Sequence, residues 1–427
     1  MTTASDQPAI LFTAFEPSGD DHAAVVIREL RRRWPDLPIY AWGGPKMATA
    51  GATIIAETGS DAVMGVPGFS KIIEHQKINK QIARWLSEHK EVRVHVPVDS
   101  PAANFPIAGI ARRLRRTVVH LVAPQLWAWG AWRVGKLRRR TDLVLCLLPF
   151  EERWFRRRGI PARFIGHPLF DEPIDAEALD AAARSLPGGR HKVALLPGSR
   201  PAELRRNFPL LLRTFRDLRA RHEGVVGLVG ARTEEVRDTL YAHANQMGGW
   251  PAGLEIEIGK TDLVARWSDL ALVVSGTVML QVARHGRPMV VVYKVRGFER
   301  MVYRMVGRRV ITTKYFTLPN LIARQEIVPE LVPHFGGYEP LLDRAEDLIL
   351  SEDRREAQRL NQRAVCAQFT GLSAAAAAAD ALEERLGLRD RTADDMGGRV
   401  ATAAADEPAE LPRLVGHEDD EEERAAG

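Results

Sequence analysis

The sequence predicts an α/β protein made of two Rossmann-like domains with parallel sheets, followed by a disordered acidic C-terminal tail. Three observations carry this. The chain has 427 residues, more than one ordinary hydrophobic core accommodates. Short apolar runs alternate with longer amphipathic stretches, which is the rhythm of βαβ units. That rhythm breaks once, near residues 168–190, and then restarts.

In the first half the apolar runs are Ala9–Ala14, Ile39–Trp42, Val92–Pro97, Thr117–Val122 and Leu143–Leu148, and the stretch ARFIGHPLFDE after Pro161 opens with a further short strand. A polar helix and loop, DAEALDAAARSLPGGRH, then suits an interdomain connection. The second series is Lys192–Leu196, Gly224–Val229, Leu254–Ile258, Leu270–Val274 and Met289–Tyr293. Ser373–Leu386 is Ala-rich and helical by propensity. The expected division is residues 1–168, 169–388 and a tail 389–427, with the last helices free to pack back on the first domain. Ligands of open α/β sheets sit beyond the carboxyl ends of the strands, so a cleft between the halves is expected.

Composition narrows the class. Hydrophobic content of 45% and charged content of 27% are ordinary for a globular protein. Cys146 and Cys366 belong to no CxxC or Cys/His cluster, which argues against a disulfide framework and a structural zinc site. The start has no basic segment ahead of its apolar run and reads as a first strand, and no stretch is long enough to span a bilayer. The protein is therefore expected to be soluble, or peripheral at most. From Arg389 on, 5 Lys/Arg face 12 Asp/Glu, so the tail carries −7 and residues 1–388 carry +12 of the total of +5. A basic body suits phosphates, an anionic lipid surface or nucleic acid, and general solubility explains it equally well.

Several strand ends carry chemistry. FEPSGDD closes the first strand: Ser18 or Asp20 can cap the next helix, and Gly19 permits a tight turn. Gly43 and Gly44 before Pro45 make a second turn. Asp99, after the run ending VHVPV, is a candidate general base toward a hydroxyl, or a cap. Trp127, Trp129 and Trp132 cluster beside Arg133, Lys136 and Arg138–Arg140, aromatic faces for an acyl chain or sugar ring with cations for phosphate. No stacking-module motif accompanies them, which weighs against nucleic acid. In the second half, Gly198, Ser199 and Arg200 place amides, a hydroxyl and a bidentate donor at a helix start. Ser275, Gly276 and Thr277 repeat the theme, and the pair fits a nucleotide diphosphate. Neither turn contains GK[ST] or GxGxxG, so a P-loop and a dinucleotide oxidoreductase are disfavoured.

Taken in order, the motifs resemble the lipid-A-disaccharide synthase family of inverting glycosyltransferases. The blocks are E-x-SGD (Glu16, Ser18–Asp20), GGPxM (Gly43–Met47), VMG (Val63–Gly65), D-x-P-x-x-N (Asp99–Asn104), WAW (Trp127–Trp129), LPFE (Leu148–Glu151), GHPL (Gly166–Leu169), LPGSR (Leu196–Arg200), SGT (Ser275–Thr277) and LPNLIA (Leu318–Ala323). The resemblance covers about Ala9 to Gly371. It implies a glycosyltransferase B fold, with the acceptor in the first half and UDP in the second. It implies transfer of 2,3-diacylglucosamine from UDP to 2,3-diacylglucosamine 1-phosphate, without metal or other cofactor. Asp99 then matches the family's essential acidic position, and Asp99, Glu16 and Asn320 are the catalytic residues that the resemblance implies. Glu16, Ser18, Gly19, Asp20, Gly43, Gly44, Asn104 and Trp127 would serve the acceptor side. Gly198, Ser199, Arg200, Ser275, Gly276, Thr277 and Gln281 would hold UDP, with Asn320 near the donor.

Lipid substrates require a docking surface on the cytoplasmic face of the inner membrane. The amphipathic segments with Phe69, Ile72 and Ile73, and with Phe298, Arg308 and Arg309, are its candidates, each also readable as a core-facing helix with a basic outer face. A homodimer is implied only by family analogy, and nucleic acid is not an expected partner. The chain departs from the family at Phe15, Gly68, Ala102, Ala103 and Pro333, and Gln281 replaces a Glu that would grip the ribose hydroxyls. These positions keep open a diverged enzyme with another acyl-sugar acceptor, and a non-catalytic UDP-sugar or lipid-binding paralogue.

Overall fold

Buried aliphatic runs set the frame of both sheets. The computed structural model describes residues 7–58, 69–295 and 313–388, with side chains in the helix Phe69–Glu88 described from residue 76 on. The chain divides into one unit of residues 7–173 with 371–388 and a second of residues 174–295 with 313–370.

The first unit holds a parallel sheet in the order β3-β2-β1-β4-β5-β6-β7. Its strands are β1 (Ala9–Thr13), β2 (Ile39–Gly43), β3 (Thr53–Glu57), β4 (Val92–Pro97), β5 (Thr117–Leu121), β6 (Leu143–Cys146) and β7 (Ala162–Phe164). Every residue of β1 is buried because helices cover both faces. Ile10 and Phe12 pack with Ile27 and Leu30 of helix Pro17–Arg33 and with Ala378 and Leu382 of helix Ala374–Leu386. Ala9 and Leu11 point the other way, to Ile82, Leu86, Ile107 and Ala108.

The alanine-rich last helix lies against this unit because its small side chains allow close approach. Ser373 caps it by accepting from the amide of Ala376, and Asp171 accepts from the amides of Ala374 and Ala375 at 2.7 and 2.8 Å. Arg33 binds Asp380 and Glu383 on the same helix at 2.7 and 3.1 Å.

The second unit repeats the plan in the order β10-β9-β8-β11-β12-β13. Its strands are β8 (His191–Leu196), β9 (Val225–Ala231), β10 (Leu254–Ile258), β11 (Leu270–Val274), β12 (Met289–Lys294) and β13 (Glu330–His334). Two strands had no apolar signature strong enough to announce them. β3 is a half-exposed edge, and β13 is an edge containing Pro333, which lacks a ladder donor. The segment with Val63–Gly65 and Gly68, the side chains of Phe69, Ile72 and Ile73, the residues Phe298, Arg308 and Arg309, and the tail 389–427 lie outside the described residues.

His95 on β4 and His120 on β5 are completely buried inside the first unit. Burial pushes their imidazoles down to about 3 and about 4, and His120 adds to the effect on His95. His95 Nε2 lies 3.0 Å from the Thr13 hydroxyl, while its Nδ1, like both ring nitrogens of His120, has no hydrogen-bond partner among the described residues. Both rings are neutral when folded, while the unfolded chain binds protons near the ordinary histidine value of 6.5. Their contribution is therefore intact above that value and is lost as pH falls toward 4, by up to about 1.4 kcal/mol per pH unit per ring. His120→Leu should leave stability at pH 8 nearly unchanged and flatten the loss of thermal midpoint between pH 8 and pH 5. An undiminished acid slope would place the titrating group elsewhere.

Candidate active site

In each sheet the strand order reverses once, and the loops that part at that point leave room for a ligand. In the first unit the reversal lies between β1 and β4, which lead into the turns and helix starts at Glu16–Asp20 and Asp99–Asn104. In the second it lies between β8 and β11, followed by Gly198–Arg200 and Ser275–Thr277.

Asp99 and Ser100 occupy two consecutive left-handed positions, with φ of 49° and 35°. Such a conformation costs a non-glycine residue roughly 1–3 kcal/mol and persists only where surroundings impose it. Here the Asp99 amide donates to the Leu121 carbonyl at 2.9 Å. The Asn104 side-chain amide donates to the carbonyls of Val98 and Asp99 at 2.9 and 3.0 Å, and its oxygen accepts from Thr13 at 2.7 Å. Thr13 is in turn beside His95. This completely buried chain of polar groups fixes the turn and leaves the half-buried Asp99 carboxylate facing Ser18, whose hydroxyl donates to it at 3.4 Å. The Ser100 hydroxyl donates to Glu16, so Glu16, Ser18 and Asp99 share one locus.

His22 and His167 complete the surroundings with rings 6.1 Å apart, edge to face. Burial lowers the His22 imidazole, although the charges of Asp99 and Asp21 oppose the shift. Burial, with His22 adding to it, takes His167 down to about 3, and its Nδ1 accepts from the Leu169 amide at 3.1 Å. Neither histidine stood out in the sequence as a site residue.

Other expected residues serve the scaffold. Asp20 does not cap its own helix; its carboxylate accepts from the amides of Gly44, Lys46 and Met47 at 3.0–3.1 Å and so caps the following turn. Nor does Ser18 act as cap, since the N-cap position is Glu16 and Ser18 turns to Asp99. Gly44 is required because a Cβ there would lie 2.5 Å from Asp20, and Gly43 because one would meet Met47. Gly19 packs against the end of β4, near Val98. Trp127 is buried, and its indole N–H donates to Glu151 at 2.9 Å, so it anchors its loop. Burial raises Glu151 to about 7 despite hydrogen bonds from Trp127 and two amides.

In the second unit Gly198 has φ of 89°, and a Cβ there would approach Glu203 to 3.1 Å. Arg200 is half-exposed and binds Glu203 at 2.8 Å, a contact that orients its guanidinium at the start of helix Pro201–Arg221. Ser275 is half-buried, and Gly276 and Thr277 are exposed at the start of helix Val278–Arg284. Gln281, one turn on, hydrogen-bonds Asp262 in the first turn of helix Thr261–Trp267, which follows β10. Burial works to raise Asp262, but hydrogen bonds from His285 and Gln281 and the charge of Arg284 hold it below the usual carboxylate range. A carboxylate thus stands beside Gln281, supplied from a distant part of the sequence.

Asn320 is different from the expectation. It is completely buried; its amide donates to the Val328 carbonyl and to Glu330, and its oxygen accepts from the amides of Ile327 and Val328. Its hydrogen-bonding capacity is filled inside the unit, which makes it a clamp for the strand β13 edge rather than a group facing a donor.

The family model described as lipid-A-disaccharide synthetase matches residues 10–382. A lipid-A-disaccharide synthase of Anaeromyxobacter sp. strain K is 36% identical over 359 residues, 82% of this chain and 90% of that protein. One from Alcanivorax borkumensis is 31% identical over 382 residues, 89% and 98% of the two chains. Among solved structures, the S. aureus MnaA-UDP co-structure matches with a TM-score of 0.60 at 10% identity, covering 89% of this chain and 97% of that one. The calicheamicin glycosyltransferase CalG4 matches at 0.57 and 16%, covering 89% and 98%. These likenesses establish the two-sheet glycosyltransferase fold.

Removing the clamp beneath Asp99 should be costly. Asn104→Ala should destabilise the protein by about 1–3 kcal/mol in chemical denaturation, because the Thr13 hydroxyl and two carbonyls lose their buried partner. An unchanged midpoint would contradict the role given to Asn104.

Proposed function

We propose, from the premise that the chain belongs to the lipid-A-disaccharide synthetase family, that this glycosyltransferase moves 2,3-diacylglucosamine from UDP to the 6-hydroxyl of 2,3-diacylglucosamine 1-phosphate. The observation that carries the reading is the strained, clamped Asp99–Ser100 turn, which puts a carboxylate at the reversal point of the first sheet.

Asp99 takes the proton of the acceptor hydroxyl as that oxygen bonds to the anomeric carbon. The bond from that carbon to the diphosphate oxygen breaks on the opposite face, so configuration inverts and UDP departs. Glu16 and Ser18 orient the acceptor beside Asp99. Arg200, with the amides and hydroxyls of Gly198–Ser199 and Ser275–Thr277, stabilises the charge that develops on the diphosphate. Gln281 receives a ribose hydroxyl, and Asp262 beside it restores an anion to that corner. No metal or organic cofactor enters these steps. The enzyme works at the cytoplasmic face of a membrane, where its acyl substrates reside; among the described residues no helix is long and apolar enough to cross one.

A second reading is favoured by Ala102 and Ala103 in the first turn of helix Pro101–Arg113, where the family's D-x-P-x-x-N block usually carries Asp and Phe. These departures favour a different acyl-sugar acceptor. Purified protein given the diacyl donor and the monosaccharide 1-phosphate in detergent should release UDP stoichiometrically with disaccharide. Measurable UDP binding without turnover on any acylated acceptor would refute the enzyme reading.

A further inference from the structure

Between Asp99 and Asp142 the chain contains no acidic residue, while it contains nine Lys and Arg residues. The same stretch carries Trp129 and Trp132, which are 49% and 69% exposed. Most buried apolar runs around them are accounted for by the sheet, yet these two indoles face solvent.

Their arrangement is specific. Gly130 adopts φ of 83° between them, and a Cβ there would lie 2.5 Å from an Arg133 nitrogen. The Arg133 guanidinium therefore settles over the glycine, 4.4 Å from the Trp129 ring centroid and 5.9 Å from that of Trp132. Two exposed aromatics and a cation thus share one face. Directly after it, helix Val134–Arg140 presents Lys136, Arg138 and Arg139 to solvent. Among the described residues, none of these three cations has an ion-pair partner. Burial and then the charges of Arg140 and Arg133 lower the Lys136 ammonium, and burial, Arg113 and Arg139 lower Arg140. Like charges crowd together without an intervening carboxylate, an arrangement that an external array of anions relieves.

We propose that Trp129, Trp132, Arg133, Lys136 and Arg139 form the surface on which this protein docks to an anionic phospholipid bilayer. Indoles settle at the level of the headgroups, where an apolar ring and a polar N–H are both accommodated, and clustered cations draw anionic lipid to them. A single-stranded nucleic acid also uses cations beside exposed aromatic faces, so the choice of a bilayer rests on the lipid acceptor proposed for the neighbouring Asp99 site. The surface is also placed to matter: its loop leaves β5 at the same sheet edge as Asp99, since Val98, just before Asp99, bridges to Leu121 at the end of β5. A lipid acceptor entering from the docked face would reach the carboxylate along that edge. The inference rests on the lipid-acceptor reading for its purpose, but binding is measured without substrate.

The test is flotation of the full-length protein with phosphatidylcholine vesicles, with and without phosphatidylglycerol, alongside UDP release from detergent-dispersed substrates. The wild type should float with the anionic vesicles, weakly with neutral ones, and less as salt is raised. Trp129→Ser with Trp132→Ser, and separately Lys136→Glu with Arg139→Glu, should each lower the partition coefficient by about tenfold or more, at about fivefold per surface cation. Thermal midpoints and turnover in detergent should stay at wild-type values. Variants that float like wild type, or a wild type that binds a single-stranded oligonucleotide more tightly than anionic vesicles, would overturn the proposal. A wild type that floats without turning over substrate would leave the docking surface standing and refute only the reaction.

Discussion

The left-handed turn at Asp99–Ser100 is the constraint on which the rest of the first unit depends. A parallel strand that continued in ordinary extended backbone would send its next side chain to one face of the sheet. Two successive positive φ values turn the chain sharply and hold the carboxylate out at the sheet edge. The unfavourable backbone is offset by hydrogen bonds that converge from three strands: Leu121 on β5, Thr13 on β1 and, through Thr13, His95 on β4. Asn104 ties them together from the following helix. Because Asn104 and Thr13 share partners across this network, removing either leaves other buried groups unpaired, so the turn is a unit rather than a set of separable contacts.

The second unit reaches its arrangement by simpler means. Glycine supplies the left-handed residue at position 198, and no network is needed to hold it. The charged groups are arranged in pairs instead. Glu203 orients Arg200 from one turn along the same helix, and Asp262 does the same for Gln281 from the neighbouring helix Thr261–Trp267. The contrast follows from chemistry: a leaving diphosphate needs amides and cations, whereas a proton acceptor must be a side chain, and a side chain at this turn forces the strain.

The βαβ rhythm was legible because both sheets are buried on both faces, which makes their inner strands continuous apolar runs. Strands β3 and β13 escaped because edges are half-exposed and tolerate residues such as Pro333. Asp99 was legible as a candidate from its strand-end position, whereas Glu16 and Ser18 joined it on the acceptor side only through the family resemblance; the structure brings the three together. What sequence could not convey was which polar residues are already occupied. Asp20, Trp127 and Asn320 sit in motifs indistinguishable from ligand-facing ones, yet amides or carboxylates inside the fold engage them. Asp262 and His22 were invisible for the opposite reason. Their importance comes from neighbours on other elements, and no local pattern records such a neighbour.

The central claim is that Asp99 acts on the acceptor and has no part in holding UDP. Calorimetric titration of UDP into Asp99→Ala, paired with its turnover, tests that division most directly. The account predicts UDP affinity within about twofold of wild type, well under the tenfold that about 1.4 kcal/mol of lost binding would produce, with turnover reduced by a factor of about 100 or more. Parallel loss of UDP affinity and turnover would contradict it.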